Sequence, residues 1–216
     1  GKPALAGGAR SIEFNLSHSG DWLVCAVSRA VPVGVDLEYC DPRRASLKVA
    51  RRYFRSEELA LLESIDMGKP VADALAIDVA ASVRCLNWTA EAIDKVYGEI
   101  APTPKHELGL ITREPLGVVG AIVPWNFPLL MASWKFAPAL AMGNSVILKP
   151  SEKSPLSAIR IAELAVEAGI PPGVFNVIPG FGKGAGEPLA LHMDVDGLVF
   201  TGSTGVGKHL LQCAGQ

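Results

Sequence analysis

Polar residues suited to a phosphorylated ligand follow two separate apolar runs in the C-terminal half of the chain. Lys149, Ser151 and Glu152 leave the carboxyl end of one predicted strand, which is where ligands bind in open α/β sheets. Gly202 and Ser203 follow another predicted strand and open a helix, whose unpaired backbone N–H groups suit a pyrophosphate. Each pattern alone also has an ordinary explanation. A Gly-x-x-Gly-x-Gly pattern, here beginning at Gly202, is a helix cap or a packing device about three times as often as it is a phosphate site. Lys-Pro-Ser-Glu, likewise, is an ordinary capped helix start.

Two carboxylates near the N-terminus have metal-ligand spacing. Asp36 and Glu38 alternate along a predicted strand, so they share a face at about 7 Å, given roughly 3.3 Å per residue. Hard carboxylate oxygens together with substrate phosphates suit Mg²⁺. An isolated Asp-x-Glu on a strand is, by roughly four to one, only a solvated face.

The cysteines and histidines form no recognisable metal or disulfide pattern. Four cysteines (Cys25, Cys40, Cys85 and Cys213) lie in no Cys-x-x-Cys pair, and the four histidines occur singly. We expect reduced thiols and interpret Cys213 as a small packing residue of a helix.

Composition excludes several classes of function. The 216 residues are 49% hydrophobic and 19% charged, with 20 basic and 22 acidic side chains and a net charge of −2. This balance gives no electrostatic case for nucleic acid or anionic lipid, and it excludes a disordered chain. Every long apolar stretch is interrupted, and no secretory signal is recognisable. We therefore expect a soluble, cytoplasmic protein with a sizeable core.

The elements that would position these residues change character along the chain. Strands are predicted over residues 11–16, 22–27 and 32–38, with a turn at 18–21, followed by helical spacing in which Ser56 can cap a helix. A long amphipathic helix is predicted over 71–96. From residue 115 strands (116–123, 145–148, 174–178, 197–200) alternate with helices, which predicts an α/β fold with a doubly wound parallel sheet. One of these helices has Ser154 as its expected cap and Gly169 as its expected stop.

Four segments in this order resemble the aldehyde dehydrogenase superfamily: REPLGVVGAIVPWNFPLLM, ALAMGNSVILKPSEKSPLSA, GIPPGVFNVIPGFG and VDGLVFTGSTGVGK. The resemblance covers about residues 63–216 and is closest to the branch acting on amino-aldehydes. It implies a Rossmann-like domain that binds NAD or NADP, in a family that oxidises aldehydes to carboxylic acids.

The resemblance also implies roles for individual residues. Lys149 and Glu152 match positions that hold the adenosine ribose hydroxyls, and a carboxylate there favours NAD over NADP. The amide of Asn126 matches a donor that stabilises the oxyanion formed during catalysis. Further cofactor-binding positions fall on Trp125, Ser151, Gly182, Gly186, Gly202 and Ser203.

The family's nucleophile and general base have no counterpart in these residues. The cysteine lies in an Asn-Gln-Gly-Gln-x-Cys context and the glutamate in Glu-Leu-Gly-Gly-Lys, and neither pattern occurs in the sequence. We therefore expect a truncated domain with an incomplete sheet, inactive as this chain because no thiolate can form the covalent intermediate.

Residues 1–60 resemble a second family, the 4′-phosphopantetheinyl transferases, through GKP, FNLSHSGDWLVCAVS, PVGVDLE and ARRYFRSEELALL. This resemblance implies a small α+β fragment in which Lys2 and His18 contact coenzyme A phosphates and Asp36 and Glu38 bind Mg²⁺. A carrier protein would then be the acceptor, although the family's third acidic ligand has no match.

The two resemblances predict a fusion, with its seam between Glu57 and Ser64. Three functions stay open: an aldehyde dehydrogenase, a module that only binds a dinucleotide, and a magnesium-dependent phosphopantetheinyl transferase. The partners expected are a small aldehyde and a dinucleotide, and a homo-oligomer stays open.

Overall fold

The computed structural model describes residues 12–19, 22–29 and 56–215. The chain divides into two compact units, Gly1–Lys48 and Val49–Gln216. The predicted strand over 32–38 and the predicted site residues Lys2, Asp36 and Glu38 lie outside the described residues.

A β-hairpin is the described part of the first unit. Strands β1 (Ile12–Ser19) and β2 (Trp22–Arg29) are antiparallel, in a register that pairs Ile12 with Arg29 and Ser19 with Trp22. The turn predicted over 18–21 was too long, because His18 and Ser19 belong to β1 and His18 pairs with Leu23. A tight connection lets strand pairing continue almost to the turn.

The second unit begins with two helical segments. Helix α1 is Ser56–Met67, with Glu57 and Glu58 in its first turn. The helix predicted over 71–96 is confirmed, but it changes type along its length: a helical turn Val71–Asp73, a π turn Ala74–Val79, helix α2 (Ala80–Ala92) and a 3₁₀ turn Ile93–Lys95. A short hairpin that the sequence analysis did not predict follows, with β3 (Glu99–Ala101) antiparallel to β4 (Gly109–Ile111).

The predicted parallel sheet is confirmed. It contains β5 (Val118–Ile122), β6 (Ser145–Lys149), β7 (Phe175–Val177) and β8 (Gly197–Phe200), in the order β7-β6-β5-β8. The helices that follow these strands are α3 (Pro128–Ala141), α4 (Leu156–Glu167), α5 (Glu187–Leu191) and α6 (Thr204–Cys213).

Successive residues of β6 face two different cores, which shows that the sheet is covered on both sides. Val146 and Leu148 lie in one cluster with residues of α1, α3 and α4, whereas Ile147 packs beside Leu189 of α5 and Leu210 of α6. Because side chains alternate across a strand, the two clusters lie on opposite faces. The doubly wound α/β class is therefore confirmed.

The start of α4 differs from the prediction. Ser154 is not its cap: the Ser154 hydroxyl is buried without a hydrogen-bond partner among the described residues. The amide of Leu156 instead donates to Asp66 Oδ2 at 2.8 Å, so a carboxylate of α1 does the capping. The predicted stop is confirmed, because Gly169 follows the helix with a φ of +98°.

None of the helices among the described residues is long and apolar enough to cross a membrane.

Candidate functional site

Three of the four strands, β5, β6 and β8, end together at one edge of the sheet. Ile122, near the end of β5, is paired with Lys149 on β6 and with Phe200 on β8. Since the strands are parallel, the segments that carry Asn126, Glu152 and Gly202 all leave from this carboxyl edge. The predicted gathering of Asn126, Lys149 and Gly202 at the carboxyl edge is thus confirmed.

Lys149 is the buried charge of this edge. Only 4% of the residue is exposed, and its Nζ lies 3.7 Å from Oε2 of Glu152, whose carboxylate faces solvent. The lysine stem passes Gly186, where a Cβ would lie 4.0 Å from Lys149 Cδ and Cε. The fold thus brings Lys149, Glu152 and Gly186 close to one another. The ammonium group of Lys149 is buried, and the carboxylate of Glu152 is exposed.

The segment after Lys149 is a compact turn. Ser151 is buried, its Oγ accepts a hydrogen bond from the amide of Lys153, and its carbonyl accepts one from the amide of Ser154. This turn carries Glu152 from the buried strand end to the surface.

The turn after β8 presents an exposed helix start. Ser203 caps α6, since its Oγ accepts from the amide of Val206 at 3.4 Å. Gly202 and Ser203 are both exposed. A Cβ on Gly202 would lie 2.5 Å from Cζ of Phe200, so the residue has room only for hydrogen at that point. An exposed N-terminus of a ten-residue helix can accept an anionic group.

A glycine-rich π turn, Gly182–Gly186, leads into α5. Gly182 is exposed and has open space where a Cβ would be, whereas Gly186 is buried against Lys149. A side chain at Gly186 would therefore meet the stem of Lys149, another predicted site residue, whereas one at Gly182 would meet nothing within 4 Å.

Trp125 and Asn126 lie on the turn between β5 and α3, and both are exposed. The next residue, Phe127, lies under Lys69 Nζ, which is 4.1 Å from the ring centroid. The contact between Lys69 and Phe127 therefore fixes one residue of the turn, while the neighbouring Asn126 is exposed to solvent.

The sequence analysis missed two charged residues behind this edge. Lys135 donates to Thr201 Oγ1 at 2.6 Å, which ties α3 to the end of β8, and burial lowers the pKa of its ammonium group. Glu63 on α1 is fully buried and accepts from the amide of Leu129 at 3.2 Å. One signal was available for Lys135, since it is the single charged residue of α3. Glu63 lies four residues after Leu59 and three after Ala60, on the face that α1 buries, but apolar residues also occupy the other faces of this helix, so the spacing did not single it out.

Cys213 agrees with its interpretation as a packing residue. The residue is 7% exposed, and its Sγ lies 3.8 Å from Nε2 of His209 on the same helix.

Comparison with known proteins identifies the family. A model described as the aldehyde dehydrogenase family matches residues 40–216, so the match begins inside the segment that resembles the transferases. The NADP/NAD-dependent aldehyde dehydrogenase PuuC of Escherichia coli is 63% identical over 160 residues, which cover 74% of this chain and 32% of that protein.

Solved structures agree with this match. The gamma-glutamyl-gamma-aminobutyraldehyde dehydrogenase of Burkholderia cenocepacia superimposes with a TM-score of 0.75 at 62% identity, covering 78% of this chain and 34% of that one. An indole-3-acetaldehyde dehydrogenase complexed with NAD⁺ gives 0.73 at 60% identity, over 80% and 37%. The chain spans about a third of the length of these relatives. Both the order of the motifs and the fold thus lead to one conclusion: the chain belongs to the aldehyde dehydrogenase family.

Proposed function

We propose that the carboxyl edge of the sheet is the dinucleotide-binding part of an aldehyde dehydrogenase, which oxidises an aldehyde to a carboxylic acid with NAD or NADP. The observation that carries this proposal is the pairing of buried Lys149 with exposed Glu152, 3.7 Å apart, at the edge that also presents the start of α6. An exposed carboxylate above a buried ammonium offers both an acceptor and a donor to neighbouring hydroxyl groups.

The residues present fit a dinucleotide. Lys149 and Glu152 would hold the adenosine ribose, while the exposed amides at Gly202 and Ser203 would face the pyrophosphate. The remaining walls of the proposed dinucleotide site would be formed by Trp125, Ser151, Gly182 and Gly186. The carboxylate of Glu152 would repel a 2′-phosphate, so NAD is the favoured cofactor. When bound, the dinucleotide supplies the hydride acceptor.

Asn126 is the proposed catalytic contribution of this part of the protein. Its side-chain amide is a donor on the exposed turn before α3, where it can stabilise negative charge that develops on the aldehyde oxygen. The proposed substrate class is an amino-aldehyde, which agrees with one relative, a gamma-glutamyl-gamma-aminobutyraldehyde dehydrogenase, whereas another is an indole-3-acetaldehyde dehydrogenase.

A titration tests the proposed site. The 216-residue chain is titrated with NADH and with NADPH, and binding is followed by nucleotide fluorescence. We expect tighter binding of NADH, and in Glu152→Gln an NADH affinity reduced about tenfold with the preference over NADPH largely lost. Glu163→Gln is the matched control, since this exposed carboxylate on α4 pairs with Arg160 instead. Absence of binding in the parent chain, or an unchanged preference in Glu152→Gln, contradicts the proposal.

The polypeptide of residues 1–216 should bind dinucleotide without oxidising aldehydes. Neither of the family's catalytic Cys and Glu patterns occurs within these residues, and the covalent step needs a thiolate. Incubation with NAD⁺ and an amino-aldehyde is followed by absorbance of NADH. Aldehyde-dependent NADH formation that thiol alkylation abolishes would show the opposite.

The N-terminal resemblance stays a separate prediction. It predicts a domain boundary between residues 60 and 63. It also predicts that Lys2 and His18 contact coenzyme A, that Asp36 and Glu38 bind Mg²⁺, and that a carrier protein is the acceptor. A coenzyme A titration with and without Mg²⁺ tests it, and binding independent of both Asp36 and Glu38 would argue against it.

A further inference from the structure

Three charged side chains in residues 63–69 contact the starts of α3 and α4, the helices that follow the two turns of the proposed site. Asp66 Oδ2 accepts from the amide of Leu156, the first residue of α4, at 2.8 Å. Glu63 Oε1 accepts from the amide of Leu129 in the first turn of α3, and also from the hydroxyl of Ser157 in α4. One helix therefore supplies acceptors to the N-terminal amides of two others.

The third member of this segment is Lys69, just beyond α1. Its Nζ lies 2.7 Å from both carboxylate oxygens of Asp78, which is fully buried. The same ammonium group lies 4.1 Å from the centroid of the Phe127 ring. A cation over an aromatic face is attractive, so Phe127, the residue next to Asn126, contacts the lysine of a partly buried ion pair.

These contacts act where the site segments end. The turn that carries Asn126 runs from β5 to α3, and the turn that carries Glu152 runs from β6 to α4. Sheet pairing holds the strand end of each turn, and Glu63 or Asp66 holds its helix end. First-turn amides have no partner within their own helix, so the acceptor that satisfies them also decides where the turn stops.

Apolar packing alone would join these helices without the charges. Leu59 and Ala60 of α1 are already fully buried in the core that contains Leu129 and Ala158. Burying a carboxylate costs free energy unless it is well paired, and the second oxygen of Glu63 makes no hydrogen bond within residues 56–215. A leucine at this position would pack against the same core but would leave the amide of Leu129 and the hydroxyl of Ser157 without an acceptor.

We propose that Glu63, Asp66 and Lys69, here named the α1 brace, are positioning residues that set the location of Asn126 and Glu152 at the carboxyl edge. This inference rests on the proposed dinucleotide site. None of the three residues is among the proposed ribose or pyrophosphate contacts, so the brace would act through the turns that carry those contacts.

The test compares nucleotide preference, because a loss of stability alone would not change a ratio of affinities. NADH and NADPH are titrated into the 216-residue chain and into Asp66→Ala, well below the melting temperature of each. We expect Asp66→Ala to bind NADH about fivefold more weakly, with a smaller preference over NADPH, because the turn with Glu152 has lost its capped end. Asp66→Asn keeps an oxygen acceptor for Leu156 and should restore most of the preference.

The matched control is Glu58→Gln. Glu58 also connects α1 to α4, through its contact with Arg160 Nε at 2.9 Å, but it bonds a side chain away from the helix start. This variant should lose stability without changing the nucleotide preference. If Asp66→Ala does not fold, Asp66→Glu retains the charge and displaces the carboxylate by one methylene group, and we expect an intermediate loss of preference.

The outcomes separate the two proposals. Binding by the parent chain with an unchanged preference in Asp66→Ala and Asp66→Glu overturns the brace and leaves the dinucleotide site standing. An equal change in Glu58→Gln also overturns the brace, since any contact between α1 and α4 would then suffice. Failure of the parent chain to bind either nucleotide contradicts the proposed function and the brace with it.

Discussion

Lys149 and Glu152 are three residues apart, yet one is buried and the other faces solvent, with Nζ and Oε2 separated by 3.7 Å. The strand end hides the ammonium group and the turn through Ser151 returns the chain to the surface. The change from strand to turn thus places a buried hydrogen-bond donor, Lys149, and an exposed acceptor, Glu152, at the same edge of the sheet.

Replacing Lys149 by methionine should separate its charge from its packing. Methionine retains an apolar stem in the buried space beside Gly186 but removes the ammonium group. We expect NADH binding to weaken at least about tenfold, because a charge-assisted donor is lost, with little change in melting temperature. Lys153→Met, an exposed lysine of the same turn, serves as the control. Equal NADH affinities in Lys149→Met and the parent chain would show that the ammonium group makes no contact with the nucleotide.

The stability of the second unit should depend on pH through Glu63. Burial, above all, raises the pKa of this carboxyl from 4.5 to about 7; nearby Asp78 also raises it, while the bonds from Ser157 and Leu129 and the charge of Lys69 lower it. Because the folded-state pKa is the higher one, the stability from this group is fully present below about pH 4.5 and is lost as pH rises through about 7.

Urea unfolding at pH 4.5 and at pH 7.5 measures this effect as a difference between the parent chain and Glu63→Gln. Glutamine resembles the protonated acid and does not titrate. Between pH 4.5 and pH 7.5 the free energy of unfolding should therefore fall by about 3 kcal/mol more in the parent chain than in Glu63→Gln. Parallel pH profiles for the two proteins would mean that Glu63 does not titrate in this interval.

Gly202→Ala should disturb the turn after β8. The new Cβ would approach the Phe200 ring to 2.5 Å, and this ring packs against the cluster of Ile122, Leu189 and Leu210. We expect a loss of about 1–3 kcal/mol in unfolding free energy together with weaker NADH binding. Gly205→Ala, in the first turn of the same helix, has open space at its Cβ and should be neutral or slightly stabilising. Chemical denaturation of both variants decides the point, and equal stabilities would contradict it.

Gly169→Ala isolates a purely conformational cost. Nothing lies within 4 Å of the added Cβ, but the φ of +98° is one that side chains rarely adopt. We expect destabilisation of about 1 kcal/mol without any change in nucleotide preference. A variant as stable as the parent would mean that the end of α4 adjusts its backbone freely.

Local patterns predicted the elements of the sheet and the edge at which they end. Apolar runs of strand length, separated by helical periodicity, required a parallel order, and parallel strands bring their carboxyl ends to one side. Asn126, Lys149, Glu152 and Gly202 could therefore be expected together before any coordinate was known. The end of α4 at Gly169 could also be predicted, because this role depends on the positive φ that glycine itself allows.

The sequence by itself indicated the strands of the parallel sheet, the family resemblance and the predicted site positions, because each depends on residues near one another in the chain. Tertiary structure alone decided which partners those positions have. Ser154 has the composition and location of a helix cap, yet the amide of Leu156 at that helix start donates its hydrogen bond to the carboxylate of Asp66, ninety residues before Leu156 in the chain. Glu63 resembles a surface charge in sequence, and only the packing of α1 against the core buries it fully, while Lys135 is partly buried where α3 meets the end of β8. The reason is physical: an acceptor for a free amide is chosen by distance in space, and distance in space follows from how the helices pack.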